Sequence, residues 1–167
     1  YIVGATSASS ANGDVTSGTN GGFDCWIIKL NAAGNIQWTK LYGGNGNEDL
    51  AEIRQTSDGG YIFCASSTSS ANGNVTPANK GANDYWVVKL DASGNITWNT
   101  LLGGSQDDVP TSVQQNTDGT FIVAGYSYSS ANGNVTEVNH GLSDYWIVKL
   151  TSGGTISFNR LLGGTGE

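Results

Sequence analysis

Three similar loops carry the side chains best suited to binding a metal ion. They read SSANGDVTSGTNGGFD from Ser9, SSANGNVTPANKGAND from Ser69 and SSANGNVTEVNHGLSD from Ser129. Calcium binds carboxylate and amide oxygens, about 6–8 at a time. One weak Ca²⁺ site in each loop is therefore a hypothesis, with ligands drawn from Asn12, Asp14 and Asp24, from Asn72, Asn74 and Asp84, and from Asn132, Asn134 and Asp144.

A structural interpretation of the same loops competes with calcium binding, and it is the one that we favour. Asn and Asp side chains accept hydrogen bonds from nearby backbone N–H groups, and glycine adopts positive φ without strain. Gly13, Gly73 and Gly133 follow the asparagines directly. The loops are therefore predicted to be ordered turns first and calcium ligands second, and no cofactor other than Ca²⁺ is expected.

A second group of acidic residues could carry out acid–base chemistry. Asn47-Glu48-Asp49 and Asp107-Asp108 occupy equivalent positions. Glycoside hydrolysis uses two carboxyl groups that face each other across the sugar. Neighbouring residues of a strand point to opposite faces, so Asp107 and Asp108 do not form such a pair, and we predict solvated loops. His140 is the single histidine, which excludes a His-pair zinc site. No catalytic residue is predicted.

These loops recur because the chain repeats itself with a period of 60 residues. YIVGATSASSANGDV at Tyr1 matches YIFCASSTSSANGNV at Tyr61 and FIVAGYSYSSANGNV at Phe121. DCWIIKL, DYWVVKL and DYWIVKL follow in the same register, and each is followed by a segment ending in Gly-Gly. Such a regular repeat indicates one structural unit used several times.

Each repeat contains four runs of β-branched and aromatic residues, which predict four strands. In the middle repeat these are AEIRQT at 51–56, YIFCASS from Tyr61, YWVVKL from Tyr85 and NITWNTLL from Asn95. The turns SDGG and DASG separate the paired runs, with glycine at positive φ. The apolar second and third runs predict strands buried on both faces.

A repeated four-stranded antiparallel unit predicts a β-propeller, an all-β fold. The predicted blades are residues 1–44 (the last three strands of a blade), 45–104 and 105–164, and residues 165–167 begin another. The chain therefore holds about 2.7 blades and eleven strands, an incomplete ring. We expect that further blades of a longer chain, or other copies, close the ring, and the absence of Met favours a longer chain.

The repeated Trp, Lys and Cys residues are predicted to have structural roles. Trp26, Trp86 and Trp146 recur in the third strand, where large rings fill the space between blades. Lys29, Lys89 and Lys149 recur nearby and are expected to extend their ammonium groups to a carboxylate or to solvent. Cys25 and Cys64 lie in different strands of different blades, so we predict two buried thiols.

Composition narrows the choice of partners. The formal net charge is −7, which disfavours nucleic acid and anionic membranes because both attract Lys and Arg. No apolar run approaches the roughly 20 residues of a membrane-spanning helix, so no transmembrane segment is predicted. The acidic surface, rich in Ser, Thr and Asn, suits an extracellular protein.

The chain also resembles a known kind of repeat. GGYIFCASSTSS and NDYWVVKLDASGNITWNTLLGGSQDD are similar to the sixty-residue blades of large secreted or surface proteins of Gram-negative bacteria, many of them exported by the type IX secretion route. The resemblance covers the whole chain, and DYWVVKLD-x-x-GNI-x-W is its most specific part. It implies a propeller, an extracellular or cell-surface location and a non-catalytic role.

Two functions therefore compete. In the first, the propeller binds a glycan or a surface protein, or serves as a display scaffold, through its Ser/Asn/Gly loops. In the second, the chain is a fragment of a carbohydrate-active propeller enzyme whose catalytic residues lie outside it. A catalytic centre needs unique acids or bases, whereas repeated sites suit multivalent binding. The near-identity of the repeats favours the binding or scaffolding module.

Overall fold

The computed structural model describes residues 1–9 and 11–166; position 10 of the first loop and position 167 of the predicted segment 165–167 lie outside the described residues. The structure is all-β, with no helix among these residues, and therefore no helix that could span a membrane in the described part of the chain. The predicted eleven strands are confirmed. They are β1 (Ile2–Ser7), β2 (Asp24–Leu30), β3 (Ile36–Tyr42), β4 (Glu48–Gln55), β5 (Tyr61–Ser67), β6 (Asp84–Leu90), β7 (Ile96–Leu102), β8 (Asp108–Gln115), β9 (Phe121–Ser127), β10 (Asp144–Leu150) and β11 (Ile156–Leu162).

The strands form three antiparallel sheets in chain order. Sheet 1 is β1-β2-β3, sheet 2 is β4-β5-β6-β7 and sheet 3 is β8-β9-β10-β11. A β-bulge interrupts β4 between Leu50 and Glu52, and a second interrupts β8 between Pro110 and Ser112. Both strands are sheet edges, where a proline costs no ladder hydrogen bond.

The hairpin turns have the predicted chemistry. Gly59 and Gly94 adopt φ values of 81° and 75°, which only glycine reaches without strain. In the second turn, Asp91 Oδ1 accepts hydrogen bonds from the backbone N–H groups of Ser93 and Asn95, both at 2.8 Å. These turns lie at one end of the sheets, and the three long loops lie at the other, which we call the loop end.

Sheet 2 is buried on both faces, as its apolar runs predict. One face, with Ile62, Cys64 and Val87, packs against sheet 3 in a single hydrophobic cluster. The other face, with Phe63 and Val88, packs against sheet 1 in a second cluster. The period-2 alternation of a strand therefore divides each run of apolar residues between two cores.

Aromatic rings connect neighbouring sheets, which confirms the predicted packing role of the tryptophans. Trp86 and Trp146 are fully buried, and the ring of Trp146 in sheet 3 lies 4.8 Å from that of Tyr85 in sheet 2. Trp38 of sheet 1 lies over the turn of sheet 2, where its Cη2 atom would be 3.1 Å from a Cβ added to Gly94. This close approach is a second reason for glycine at that position.

The environments of Lys89, Cys25 and Cys64 agree with those predicted from the sequence. Lys89 is buried along its stem, and its Nζ is 2.8 Å from Asp58 Oδ2. Cys25 and Cys64 are free thiols, and both are buried.

The contribution of the sheet 2–sheet 3 contact to stability is testable with one matched pair of variants. Tyr85 is fully buried beneath Trp146, with ring centroids 4.8 Å apart, whereas Tyr145, at the same repeat position, is 49 % exposed. We expect Tyr85→Ala to lower the unfolding free energy by about 3–5 kcal/mol and Tyr145→Ala by no more than about 0.5 kcal/mol. Urea denaturation measures both, and equal losses would contradict this packing.

Candidate functional site

The long loops at the loop end are fixed by local hydrogen bonds. In the second loop, Asn72 N–H bonds to Val75 O at 2.8 Å, and Val75 N–H bonds back to Asn72 O at 3.0 Å. Gly73 between them has φ 55°, and Val75 is fully buried beneath the turn. The predicted ordered turn is confirmed, and the buried valine is an anchor that sequence reasoning missed, although it recurs in every repeat.

The polar side chains of this loop bind the backbone that joins the preceding repeat to their own. Asn74 exchanges two hydrogen bonds with Gly43: its N–H donates to Gly43 O at 2.8 Å, and its Oδ1 accepts from Gly43 N–H at 3.2 Å. Asn72 Oδ1 accepts from Asn45 N–H, and Ser69 Oγ accepts from Gly46 N–H at 2.8 Å. We call this set of contacts the inter-repeat clasp.

The third loop makes the same clasp with the backbone that joins the second repeat to the third. Asn134 N–H donates to Gly103 O at 2.8 Å, and Asn132 Oδ1 accepts from Ser105 N–H at 2.6 Å. Ser129 Oγ accepts from Gln106 N–H at 3.0 Å. The Ser/Asn loops and the segments that begin with Gly-Gly therefore recur together because they hydrogen-bond to each other.

The clasp separates the residues that were grouped as calcium ligands. Asn72 and Asn74 lie against the segment from Gly43, whereas Asp84 of the same loop lies against Gly103 of its own repeat. The same separation holds for Asn132 and Asn134 relative to Asp144, because they lie against the Gly103–Ser105 segment. Within the first loop, Asn12 pairs with Val15 as Asn72 does with Val75, Asp14 is exposed, and Asp24 lies against Gly43. Among residues 1–9 and 11–166, no three His, Cys, Asp or Glu side chains converge as metal ligands, and calcium binding stays a prediction.

The repeated aspartate at the start of each third strand is buried in all three repeats. Its Oδ2 accepts a backbone N–H four residues earlier: from Asn20 at 2.7 Å for Asp24, and from Lys80 at 2.8 Å for Asp84. Asp144 Oδ2 accepts a hydrogen bond from the backbone N–H of His140 at 2.8 Å. The Nδ1 atom of the His140 ring lies 3.0 Å from the same oxygen. The Oδ1 atom of each aspartate is buried without a hydrogen-bond partner in the described structure.

The second acidic group does not lie in solvated loops, so that prediction is wrong for two of its members. Glu48 and Asp108 are fully buried at the first position of β4 and β8. Their N–H groups donate to the carbonyls of Phe23 and Asn83, both at 2.7 Å, which places each acid beside the aspartate of the preceding repeat. Alternation along a strand excluded Asp107 as the partner of Asp108, and the fold instead places Asp84, 24 residues earlier, beside it.

Asp84 and Asp108 lie on the same side of Gly103. A Cβ added there would collide with Asp84 Oδ1 and lie 2.8 Å from Asp108 Oδ2. Asp108 Oδ2 is held by the N–H of Gly104 at 2.7 Å and by Ser129 Oγ at 3.0 Å. Glycine is therefore required between the sheets because two carboxyl groups already occupy the space.

Burial makes the carboxyl group of Asp84 a weaker acid than that of an exposed aspartate. Burial, the largest influence, raises its pKa to about 6; the backbone N–H and the ammonium of Lys80 oppose this rise, and the charge of Asp108 adds to it. Burial also raises the pKa of Asp24 and of Asp108, while the hydrogen bonds that each accepts act in the opposite direction.

A cavity of about 670 Å³ opens at the loop end, where the three sheets approach one another. All three repeats line it, and its walls come from the loop-end termini of the strands and from the residues just before them. Its lining residues are Thr6, Phe23, Asn47, Asp49, Ser66, Thr68, Asn83, Val109 and Tyr126. We call this cavity the loop-end pocket; its volume lies in the range of small-molecule sites.

Comparison with known proteins gives one distant similarity. No protein-family model matches the chain. The regulatory protein FlaEY of Caulobacter vibrioides is 27 % identical to the chain over 136 residues, which is 78 % of this chain. The chain spans 14 % of the length of FlaEY, so the similarity concerns a small part of that protein.

The clasp predicts different effects for the same glycine in two repeats. A Cβ on Gly104 would lie 2.6 Å from Ser129 Cβ, whereas Gly164, its counterpart, has no atom within 4 Å. We expect Gly104→Ala to lower the unfolding free energy by about 1–3 kcal/mol, because Ser129 and Asn132 must move, and Gly164→Ala to change it by no more than about 0.5 kcal/mol. Similar effects in chemical denaturation would contradict the clasp.

The raised pKa of Asp84 predicts a pH-dependent contribution to stability. Between its ordinary value of 3.8 and its folded value of about 6, the folded state binds more protons than the unfolded state. The contribution of this group is therefore complete below about pH 4 and is lost as the pH rises to about 6.

Asp84→Asn removes this titration, so the unfolding free energy of the wild type minus that of the variant should fall as the pH rises from about 4 through about 6 and stay constant at higher pH. The exposed Asp14→Asn makes the same formal change of charge and serves as the control. Denaturation curves at several pH values measure both, and a pH-independent difference for Asp84→Asn would disprove the expectation.

Proposed function

We propose that the chain is part of a β-propeller that acts as a non-catalytic binding or display module outside a bacterial cell. The observation that carries this proposal is the clasp, which uses the repeated polar side chains of the loops to fix the backbone. The loop end thereby becomes a rigid frame, and other side chains of the same loops remain exposed. In the third loop these include Val138 and Leu142.

The way in which the sheets approach one another supports a radial arrangement. Backbones come closest at the inner edge strands: β4 approaches β1 and β2, and β8 approaches β5, β6 and β4. Toward β3 and β7 the gap is filled by large rings such as Trp38 and Trp98. Sheets that converge at one edge and diverge at the other are wedge-shaped, as propeller blades are.

The outer face of sheet 3 supports a ring completed by further repeats or by other copies. Leu102 is 2 % exposed beneath sheet 3, whereas its counterpart Leu162 is 49 % exposed. The face that carries Leu162 and Tyr145 has the same chemistry as the face of sheet 2 that sheet 3 covers. We therefore propose that another sheet of the same type covers this face of sheet 3.

The partners proposed for this module are a glycan or a surface protein. The formal charge of −7 and the scarcity of Lys and Arg disfavour nucleic acid. Weak calcium binding in the loops remains part of the proposal. Resemblance to secreted repeats supports an extracellular or cell-surface location, and the distant relative FlaEY is itself a bacterial protein.

Two measurements on the full-length protein test this proposal. A cryo-EM map should show the sheets as blades around one axis, and sheets stacked in a straight column would exclude a propeller. Screening on arrays of glycans and surface proteins, with calcium and with EDTA, should detect binding without release of reducing sugar. Hydrolysis of a polysaccharide would instead favour the alternative of an enzyme fragment.

A further inference from the structure

The loop-end pocket differs from the rest of the structure because its residues change from repeat to repeat. The strand position that lines it carries Thr6, Ser66 and Tyr126. The position before the third strand carries Phe23 and Asn83, and the inner strand carries Asp49 and then Val109. None of these sets is conserved within the chain.

At two of these three positions, the residue that follows is identical in all repeats. Ser7, Ser67 and Ser127 follow the variable strand position, and Asp24, Asp84 and Asp144 follow the variable position before the third strand. The identical residues are buried in the frame of sheets 2 and 3. The repeat therefore keeps its frame constant and varies the side chains that face one cavity, as a site for one asymmetric ligand requires.

The lining combines apolar rings with hydrogen-bonding groups. Phe23 is half exposed and Tyr126 is 38 % exposed, and the ring of Tyr128 lies 6.1 Å from that of Tyr126 in an edge-to-face arrangement. Amides and hydroxyls lie beside these rings in the wall of the pocket, in Asn47, Asn83, Ser66 and Thr68. Rings present flat apolar faces, and the polar groups both donate and accept.

The charge of the lining restricts the ligand further. Asp49 is an exposed lining residue, and its Oδ1 accepts a hydrogen bond from Thr6 Oγ1 at 2.9 Å. Among the described residues that line the pocket there is no Lys, Arg or His. An anionic ligand would meet only a carboxylate there, so the lining selects against it.

We infer that the loop-end pocket binds a neutral carbohydrate, with Tyr126 and Phe23 against the apolar faces of sugar rings and Asp49 accepting from a hydroxyl. This inference rests on the proposed binding function and gives it a place and a ligand class. The C–H faces of a sugar can pack against the aromatic rings of this lining. The sugar hydroxyls can form hydrogen bonds with its amides, its hydroxyls and the carboxylate of Asp49.

The test is calorimetric titration of the full chain with neutral hexasaccharides of β-1,4-linked glucose, N-acetylglucosamine and mannose. At least one should bind. Tyr126→Ser, which installs the residue of the second repeat, should weaken that binding by about tenfold, and Asp49→Asn by a similar factor. Phe158→Ala removes an exposed ring on β11 outside the pocket lining and should leave affinity unchanged.

Each outcome separates the pocket from the broader function. Sugar binding that survives Tyr126→Ser but is lost with Val138→Ser would overturn the pocket and leave a loop-based binding module. Binding only of an oligogalacturonate or of a peptide would overturn the ligand class. If none of the three hexasaccharides binds to protein shown to be folded by its thermal transition, the inference fails, and the array screen then decides the proposed function separately.

Discussion

Burial of each sheet by the next is the constraint on which this structure depends. A single sheet of this kind leaves two apolar faces in water, and the central strands β5 and β6 of sheet 2 are buried only because sheets 1 and 3 cover them. The contrast between buried Tyr85 and half-exposed Tyr145 shows the effect at one repeat position. The repeat is therefore a unit of sequence, while the unit of stability is a pair of neighbouring sheets.

The inter-repeat clasp supplies polar contacts between neighbouring sheets. Asn and Ser oxygens of one loop accept N–H groups from Asn45 and Gly46, which directly follow the Gly-Gly segment of the preceding repeat. Buried backbone groups need such partners, and the side chains that supply them recur for that reason. The buried acids belong to the same junction, because Asp84 and Asp108 fill the space that the missing side chain of Gly103 leaves.

A rigid and uniform frame allows variation to be concentrated at one place. The positions that line the loop-end pocket differ among repeats, whereas the serine after Thr6, Ser66 and Tyr126 and the aspartate after Phe23 and Asn83 are identical. A near-perfect repeat can in this way present one asymmetric cavity, because three different side chains at equivalent positions converge at the loop end. Residues that line the pocket and residues buried in the frame thus lie next to each other on the same strand.

The sequence by itself determined the strands, the turns and the structural role of the tryptophans. These follow from local rules: β-branched runs bounded by Gly and Asp form strands, and glycine permits positive φ at Gly59 and Gly94. It also predicted the buried thiols and the ordered loops. Only the tertiary structure decided that Asn72 and Asn74 bind the backbone between two repeats, that Glu48 and Asp108 are buried, and that the variable residues meet in one pocket. These facts depend on contacts between residues more than 20 positions apart, and the packing of one sheet on another sets those distances.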